Sequence, residues 1–238
     1  MLFPQTHASV LERVRSADAD VRRIAFDDLA AGYWKPSYHY LRLQWKLAPD
    51  DAEDAVQAFF TTAFEKQYLE KYDASKSKFR TFLRVCLDRF AQNLRKAGQA
   101  VKRGGGVEML SLDFPSAERE LNALAAADLS DADRFFHDET VRFLFGRAVA
   151  SLRQQLESEG RPAVFGAFDR HDLNPGRHTS YASVAADLGL SVSQVTNHLH
   201  LARKLFRDHA LAHLRSISAT REEFEREARE LFGVTPAE

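Results

Sequence analysis

The sequence is poor in the features that most catalytic sites need. A single cysteine, Cys86, among 238 residues excludes an internal disulfide. It lies between Phe82 and Phe90 on an apolar helical stripe, which makes it a core filler rather than a nucleophile. No apolar run approaches the roughly 20 residues that a membrane span requires, so no membrane association is expected. The first residues, MLFPQTHASVLERV, lack a basic start followed by an apolar stretch, so export is not expected and the cytoplasm is the default. Gly104–Gly106 has no preceding strand and no Lys-Ser/Thr after it, which argues against a phosphate-binding loop. The nine histidines include His209 and His213 at helical spacing, but no HExxH pattern, and the pair is expected at the surface. No Ser/His/Asp arrangement is recognisable. No catalytic residue, metal ligand or cofactor is expected, and the chain is not expected to be an enzyme.

Apolar residues make up 45% of the chain and aromatic residues 11%, ample for packed cores. The net charge of −1 conceals two opposed blocks. Lys71–Arg103 carries ten basic residues against Asp73 and Asp88, a local charge of +8. Val107–Thr140 carries nine acids against Arg119 and Arg134, a local charge of −7. Such blocks suit polyanion binding beside a polyanion-like connector.

The most patterned stretch is Ser180–Phe206. Tyr181, Val184, Ala185 and Leu188 form an i, i+3, i+4, i+7 stripe, and Gly189 supplies a left-handed stop. Val192, Val195, Leu199, Ala202 and Leu205 then resume the stripe. Small Ala185 permits a close helix crossing and Val195 plugs it, a helix-turn-helix pattern. The outward residues Ser191, Ser193, Gln194, Thr196, Asn197, His200, Arg203 and Lys204 are hydrogen-bonding types suited to a DNA major groove. The alternative for this stretch is an αα-hairpin that merely packs.

Helical periodicity also runs from Ala8 to Leu47, punctuated at Gly32 and Pro36, with Pro36 suited to a helix's first turn. The segment from Pro49 to Tyr72 reads as a helix with Ala52, Ala55, Val56, Phe59, Phe60, Ala63 and Phe64 inward. Asp51, Asp54, Ala58, Thr61, Thr62 and Glu65 face outward. Next, Asp73 or Ser75 would cap a helix carrying Phe79, Phe82 or Leu83, Cys86, Phe90 and Leu94 on its apolar stripe. Its other faces hold Arg80, Arg84, Arg89, Arg95 and Lys96. Basic residues interleaved with aromatics suit nucleic acid, where an aromatic ring can stack on an unpaired base. Beyond Gly106 the acidic stretch is expected to be a mobile connector with one weak helix around Ala117–Ala126. Periodicity returns at Phe135. Near the end, Thr220 and Glu223 have capping-box spacing ahead of an amphipathic helix, which would fold back on the second domain or bind a partner.

In this order the motifs resemble bacterial RNA polymerase sigma factors of the extracytoplasmic-function (group IV) type. Asp51, Ala52, Glu53, Asp54, Ala55, Val56 and Gln57 match the family's DAED-x-VQ. Phe79, Arg80, Thr81, Phe82 and Leu83 are similar to its FRxWL helix, and Ser191, Val195, Leu199, Ala202, Arg203 and Lys204 to its recognition helix. The match covers Ala25–Gly98 as sigma region 2 and Val141–Leu214 as region 4. It implies an all-α chain of two small helical domains joined by an acidic linker. The domain at 1–103 would be followed by a linker at 104–137, a helix-turn-helix domain at 138–214 and a C-terminal extension at 215–238. It also implies that Asp51, Glu53, Asp54 and Gln57 dock on core RNA polymerase. Lys76, Lys78, Arg80, Phe82, Arg84, Arg89, Asn93, Arg95 and Lys96 would engage the −10 element of promoter DNA, and the helix from Ser191 would read the −35 element.

Ala58 stands where the family pattern continues with glutamate, so one docking charge is missing beside Thr61 and Thr62. Phosphate there would add about −1.5 to −2 of charge, and a sigma subgroup is regulated by Ser/Thr kinases in this manner. The alternative is that both threonines are ordinary surface residues. An anti-sigma protein is a further possible partner. His198 and Leu201 replace residues often basic in the family, implying weaker −35 binding. Asp88 and Asn93 also depart from its pattern. The rival function is a helix-turn-helix regulator acting without polymerase, which would leave the acidic and basic helices of the first half unexplained.

Overall fold

Every regular element in the computed structural model is helical among the described residues, which are 10–97, 112–123, 131–176 and 180–234. None of these helices is long and apolar enough to cross a membrane. The described residues form two compact units, one running up to Phe143 and including those from Leu214 onward, the other spanning Leu144–His213. Gly104–Gly106, Lys102 and Arg103 lie outside the described residues, as do connector residues 98–111 and 124–130.

In the first unit a short α1 (Val10–Val14) leads to α2 (Ala19–Leu43), where the Asp18 carboxylate accepts from the N–H groups of Asp20 and Val21 at 2.8 and 3.2 Å. The expected punctuation at Gly32 and Pro36 is overturned, because α2 runs unbroken through both. Proline lacks an N–H and its ring crowds the carbonyl four residues back, a cost of about 3 kcal/mol. Burial of Tyr33, Trp34, Tyr38, Tyr40 and Leu41 around it offsets that cost. A Cβ on Gly32 would lie 2.1 Å from Cγ2 of Ile217, so the glycine permits a close approach rather than a turn.

Helix α3 (Pro49–Glu65) opens on a proline and ends earlier than expected. Gln67, at φ 51°, breaks it, and a 3-10 turn (Tyr68–Lys71) follows. Its inner face is as expected at Ala52, Ala55, Val56, Phe59, Phe60 and Ala63, which are buried, while Phe64, also expected inward, is half-buried. In α4 (Phe79–Ala97) the buried stripe is Phe79, Leu83, Leu87 and Ala91: Phe79 is as expected, Leu83 is taken over its alternative Phe82, and beyond it the stripe shifts by one position, leaving Phe82, Cys86, Phe90 and Leu94 half-buried. Burial pushes the Cys86 thiol up, away from the reactive thiolate.

The start of the acidic connector is a packed element. Helix α5 (Phe114–Ala123) begins three residues before the expected Ala117 and is capped by Asp113, whose Oδ1 accepts from the N–H of Ser116 at 3.0 Å. Phe114 packs edge-on to Trp34 and against Tyr38. Glu118 receives Arg42 at 2.7 and 2.9 Å and the Tyr38 hydroxyl at 2.7 Å. Those hydrogen bonds, Arg42 first, hold its carboxyl down at about 2 despite partial burial. The first turns of α6 (Ala132–Ser158) also belong here. Buried His39 meets Glu139 at 2.5 Å through Nδ1 and the Ala117 carbonyl at 3.0 Å through Nε2, tying α5 and α6 to α2. Aromatic rings fill the middle, with Tyr33 against Phe79 and Phe136, and Tyr40 edge-on to Phe136.

The second unit has two apolar clusters. Leu152 and Leu156 of α6 meet Val164 and Phe168 of α7 (Pro162–Phe168) and Ala202 of α9 (Val192–Ile217). Ala167, Val184, Ala185, Val195 and Leu199 form the other, around α8 (Tyr181–Leu188). A π turn (Asp169–Leu173) continues α7. Here His209 and His213 are half-buried rather than at the surface. His209 contacts Gln155 at 2.7 Å, and the Ser151 hydroxyl shares a hydrogen bond with Nε2 of His213 at 3.0 Å.

Candidate nucleic-acid interface

The turn between α8 and α9 follows from local chemistry. Ser180 caps α8 reciprocally with Ser183, and Gly189 ends it at φ 64°, a left-handed conformation that costs a glycine little. Ser191 and Gln194 then cap α9 by the same exchange. The Gln194 N–H donates to Oγ of Ser191 at 3.2 Å, and the Ser191 N–H donates to the Gln194 side-chain oxygen at 2.8 Å. Val195, Leu199 and Ala202 point inward and are fully buried. Val192, expected on the inner stripe, is 49% exposed. All eight residues expected to meet the −35 element, Ser191, Ser193, Gln194, Thr196, Asn197, His200, Arg203 and Lys204, are exposed.

Their availability differs. The side-chain oxygens of Ser191 and Gln194 serve the cap, and Thr196 donates to the carbonyl of Val192 at 3.0 Å. Arg203 is bound by Asp172 at 2.7 and 2.8 Å, a pairing that raises its already high pKa. Asp172 comes from the π turn, and no sequence pattern pointed to it. Ser193, Asn197, His200 and Lys204 complete the face. It offers a donor and acceptor amide, an imidazole and an ammonium along three turns, the mixture that base edges and phosphates accept.

In the first unit the basic helix α4 is divided along its length. Arg89, Asn93, Arg95 and Lys96 at its far end are exposed. Lys76 is also exposed and pairs with Asp73 at 3.2 Å. The three cations near its start are engaged by acids. Arg84 holds Asp88 at 2.6 Å and Asp133 at 2.7 Å. Arg80 forms a largely buried ion pair with Glu227, and Lys78 lies 3.5 Å from Glu230. Both glutamates belong to α10 (Arg221–Phe232). Phe82, expected to reach an unpaired base, is half-buried and tilted against Tyr72 and Phe79.

The cap expected from Asp73 or Ser75 is not what starts α4. Asp73 closes a local turn on Ser75 instead, and the Phe79 N–H donates to Glu223 of α10 at 2.8 Å. The expected capping box of α10 is therefore half made. Thr220 accepts from the Glu223 N–H at 3.1 Å, but the Glu223 carboxylate goes to the N–H groups of Phe79 and Ala219. The C-terminal extension thus packs on the first unit, where a fold back onto the second domain or a free partner-binding helix was expected.

The acidic face of α3 presents Asp51 exposed and Glu53, Asp54 and Gln57 half-buried, with Gln57 donating to Glu53 at 3.3 Å. Thr61 and Thr62 lie half-buried on the same helix. A groove of about 850 Å³ brings Asp51 and Asp54 together with Arg95 of α4. Its floor is a polar hub: Asp88 accepts from the Tyr40 hydroxyl and from the Trp45 indole, each at 2.9 Å. Burial, with the Asp88 charge beside it, pushes Tyr40 up to about 12, so the phenol remains a donor. Two of the four residues expected to dock on polymerase, Asp51 and Asp54, and one expected to hold DNA, Arg95, therefore share a groove. Neither a family model, nor a curated protein, nor a solved structure matches the chain.

Proposed function

We propose that the chain is a sigma-type promoter-recognition protein, a bacterial cytoplasmic partner of core RNA polymerase rather than a catalyst. The observation that carries this reading is α9. Its eight polar residues are exposed while Val195, Leu199 and Ala202 are buried behind a left-handed turn at Gly189. Such a helix suits the −35 major groove. The exposed cations at the far end of α4 suit the −10 strand, and the carboxylates of α3 suit a basic helix of polymerase. Phosphate on Thr61 or Thr62 would supply the charge that Ala58 lacks on that face.

Run-off transcription with core polymerase on genomic fragments tests the reading, with and without a Ser/Thr kinase. Discrete transcripts are expected, with kinase raising their yield for the wild type but not for Thr61→Ala/Thr62→Ala. DNA binding without any transcript, in either phosphorylation state, assigns the helix-turn-helix to a regulator that works without polymerase. Equal yields from both proteins with kinase dismiss the phosphate switch alone.

A further inference from the structure

Helix α10 sets three carboxylates on one stripe, Glu223, Glu227 and Glu230, at i, i+4 and i+7. All three engage the beginning of α4. Glu223 takes the Phe79 N–H at 2.8 Å, Glu227 pairs with Arg80, and Glu230 lies 3.5 Å from Lys78. The start of a helix carries a partial positive charge and unsatisfied N–H groups, and here two cationic side chains add to it. Helix α4 has no acid in its own first turn, so a distant segment supplies the negative charge. A rise of 1.5 Å per residue separates the first two carboxylates by about 6 Å along α10, of the order of one step of an extended nucleic-acid strand.

We propose that α10 is a built-in competitor of nucleic acid, its carboxylates holding the positive start of α4 until backbone phosphates displace them. This rests on the reading of α4 as a nucleic-acid helix. The contact is graded in a way that allows exchange. The outer pair is open to solvent, with Lys78 at 36% and Glu230 at 51% side-chain exposure. The inner pair is closed, with Arg80 and Glu227 each at 11%. Burial pushes the Glu227 carboxyl up, against the pull of Arg80, so its ionised form is poorly housed there. A phosphate that stays partly hydrated carries no such burden. Exchange can begin at Lys78 and proceed inward, while Phe224 and Ala228, buried on the same helix, hold α10 in place when no strand is bound.

The test is fluorescence anisotropy of a labelled single-stranded oligonucleotide with the full chain and no polymerase. Glu227→Gln/Glu230→Gln is compared with Glu222→Gln/Glu225→Gln, which removes the same charge from the same helix away from α4. The first is expected to bind on the order of tenfold tighter than wild type, with a salt slope steeper by about 1.4, or 0.7 for each freed cation. The second is expected to gain little. Lys78→Gln/Arg80→Gln should weaken binding in the wild-type background, and weaken it more in the Glu227→Gln/Glu230→Gln background by also abolishing the gain, a non-additive cycle. The exposed pair alone, Lys78→Gln with Glu230→Gln, repeats the cycle without touching a buried side chain. Equal gains from the two glutamine pairs, additive cycles, or no binding by any variant overturn the proposal. A non-additive cycle beside failed run-off transcription would keep the competitor and discard promoter recognition. Transcripts beside an additive cycle would do the reverse.

Discussion

The two candidate interfaces handle charge in opposite ways. On the part of α9 that lies in Leu144–His213, the polar face is set by residues close in sequence, and of its two cations only Arg203 is held by an acid among the described residues, Asp172, 31 residues away. On α4, Arg84 is bound from 49 residues away by Asp133, and Arg80 from 147 residues away by Glu227. The first surface is ready as folded. The second is partly filled by the chain's own acids, so its accessible charge is a property of the whole unit. A local count of basic residues therefore overstates what α4 offers to a ligand.

Three perturbations would break or sharpen this contrast. The largest effect is expected at Val195, which is 0% exposed among Val184, Ala185 and Leu199. Val195→Asp buries an unpaired carboxylate and should cost about 4 kcal/mol or more, unfolding the helix-turn-helix. Duplex binding would vanish while single-strand binding through α4 survives. Loss of both together would show that the two surfaces are not separable.

A smaller loss is expected from Gly32→Ala, whose Cβ would meet Ile217 at 2.1 Å. Overpacking of this kind costs about 1–3 kcal/mol, and Ile217→Ala in the same chain should restore part of it. An unchanged melting temperature would mean that the end of α9 does not press on α2 in solution.

The smallest effects are in the pH dependence, where the two units should share an upper step and only the first should show a lower one. His213 is held down at about 4, by burial first and then by the charge of Arg147, against an ordinary 6.5. A depressed value means the stabilising neutral form is complete above 6.5 and lost as pH falls toward 4. Glu118, at about 2 against an ordinary 4.5, contributes above 4.5 and is lost as pH falls toward 2. Buried His39, which ties α5 to α2, is likewise held down at about 4 by burial and shares the His213 window. Acid titration followed by amide exchange should therefore loosen both units as pH falls from 6.5 toward 4, and the α5 docking further below 4.5. Glu118→Gln should remove the lower transition and leave the upper one. A single transition common to both units, with nothing further below 4.5, would refute the lower step.

Much of the second unit was legible because its determinants are local. The spacing Val184, Ala185, Val195, Leu199 and Ala202 names the buried stripe, and Gly189 is a position where few other residues fit. The acidic face of α3 was legible for the same reason, an apolar period of 3.6 with Pro49 at its start. The misreadings share one cause. Gly32 and Pro36 are breakers by intrinsic preference, yet aromatic burial on both sides carries α2 through them. The inner stripe of α4 slipped by one residue because Phe79 is followed by apolar residues at both compatible spacings, and only its neighbours choose between them. The connector looked solvated by composition, while Phe114, Ala117 and Leu121 are buried on one face of α5.

By itself the sequence determined the helical class, the turn at Gly189 and the identity of the residues outside α9, since periodicity and capping act within a few positions of the chain. Tertiary structure alone decided which cations of α4 remain open, that Glu223 rather than Asp73 starts that helix, and where the last helix lies. These are ion pairs and caps made across large sequence separations. Their partners are chosen by the packing of apolar faces, which brings the charges together after the local pattern has been spent.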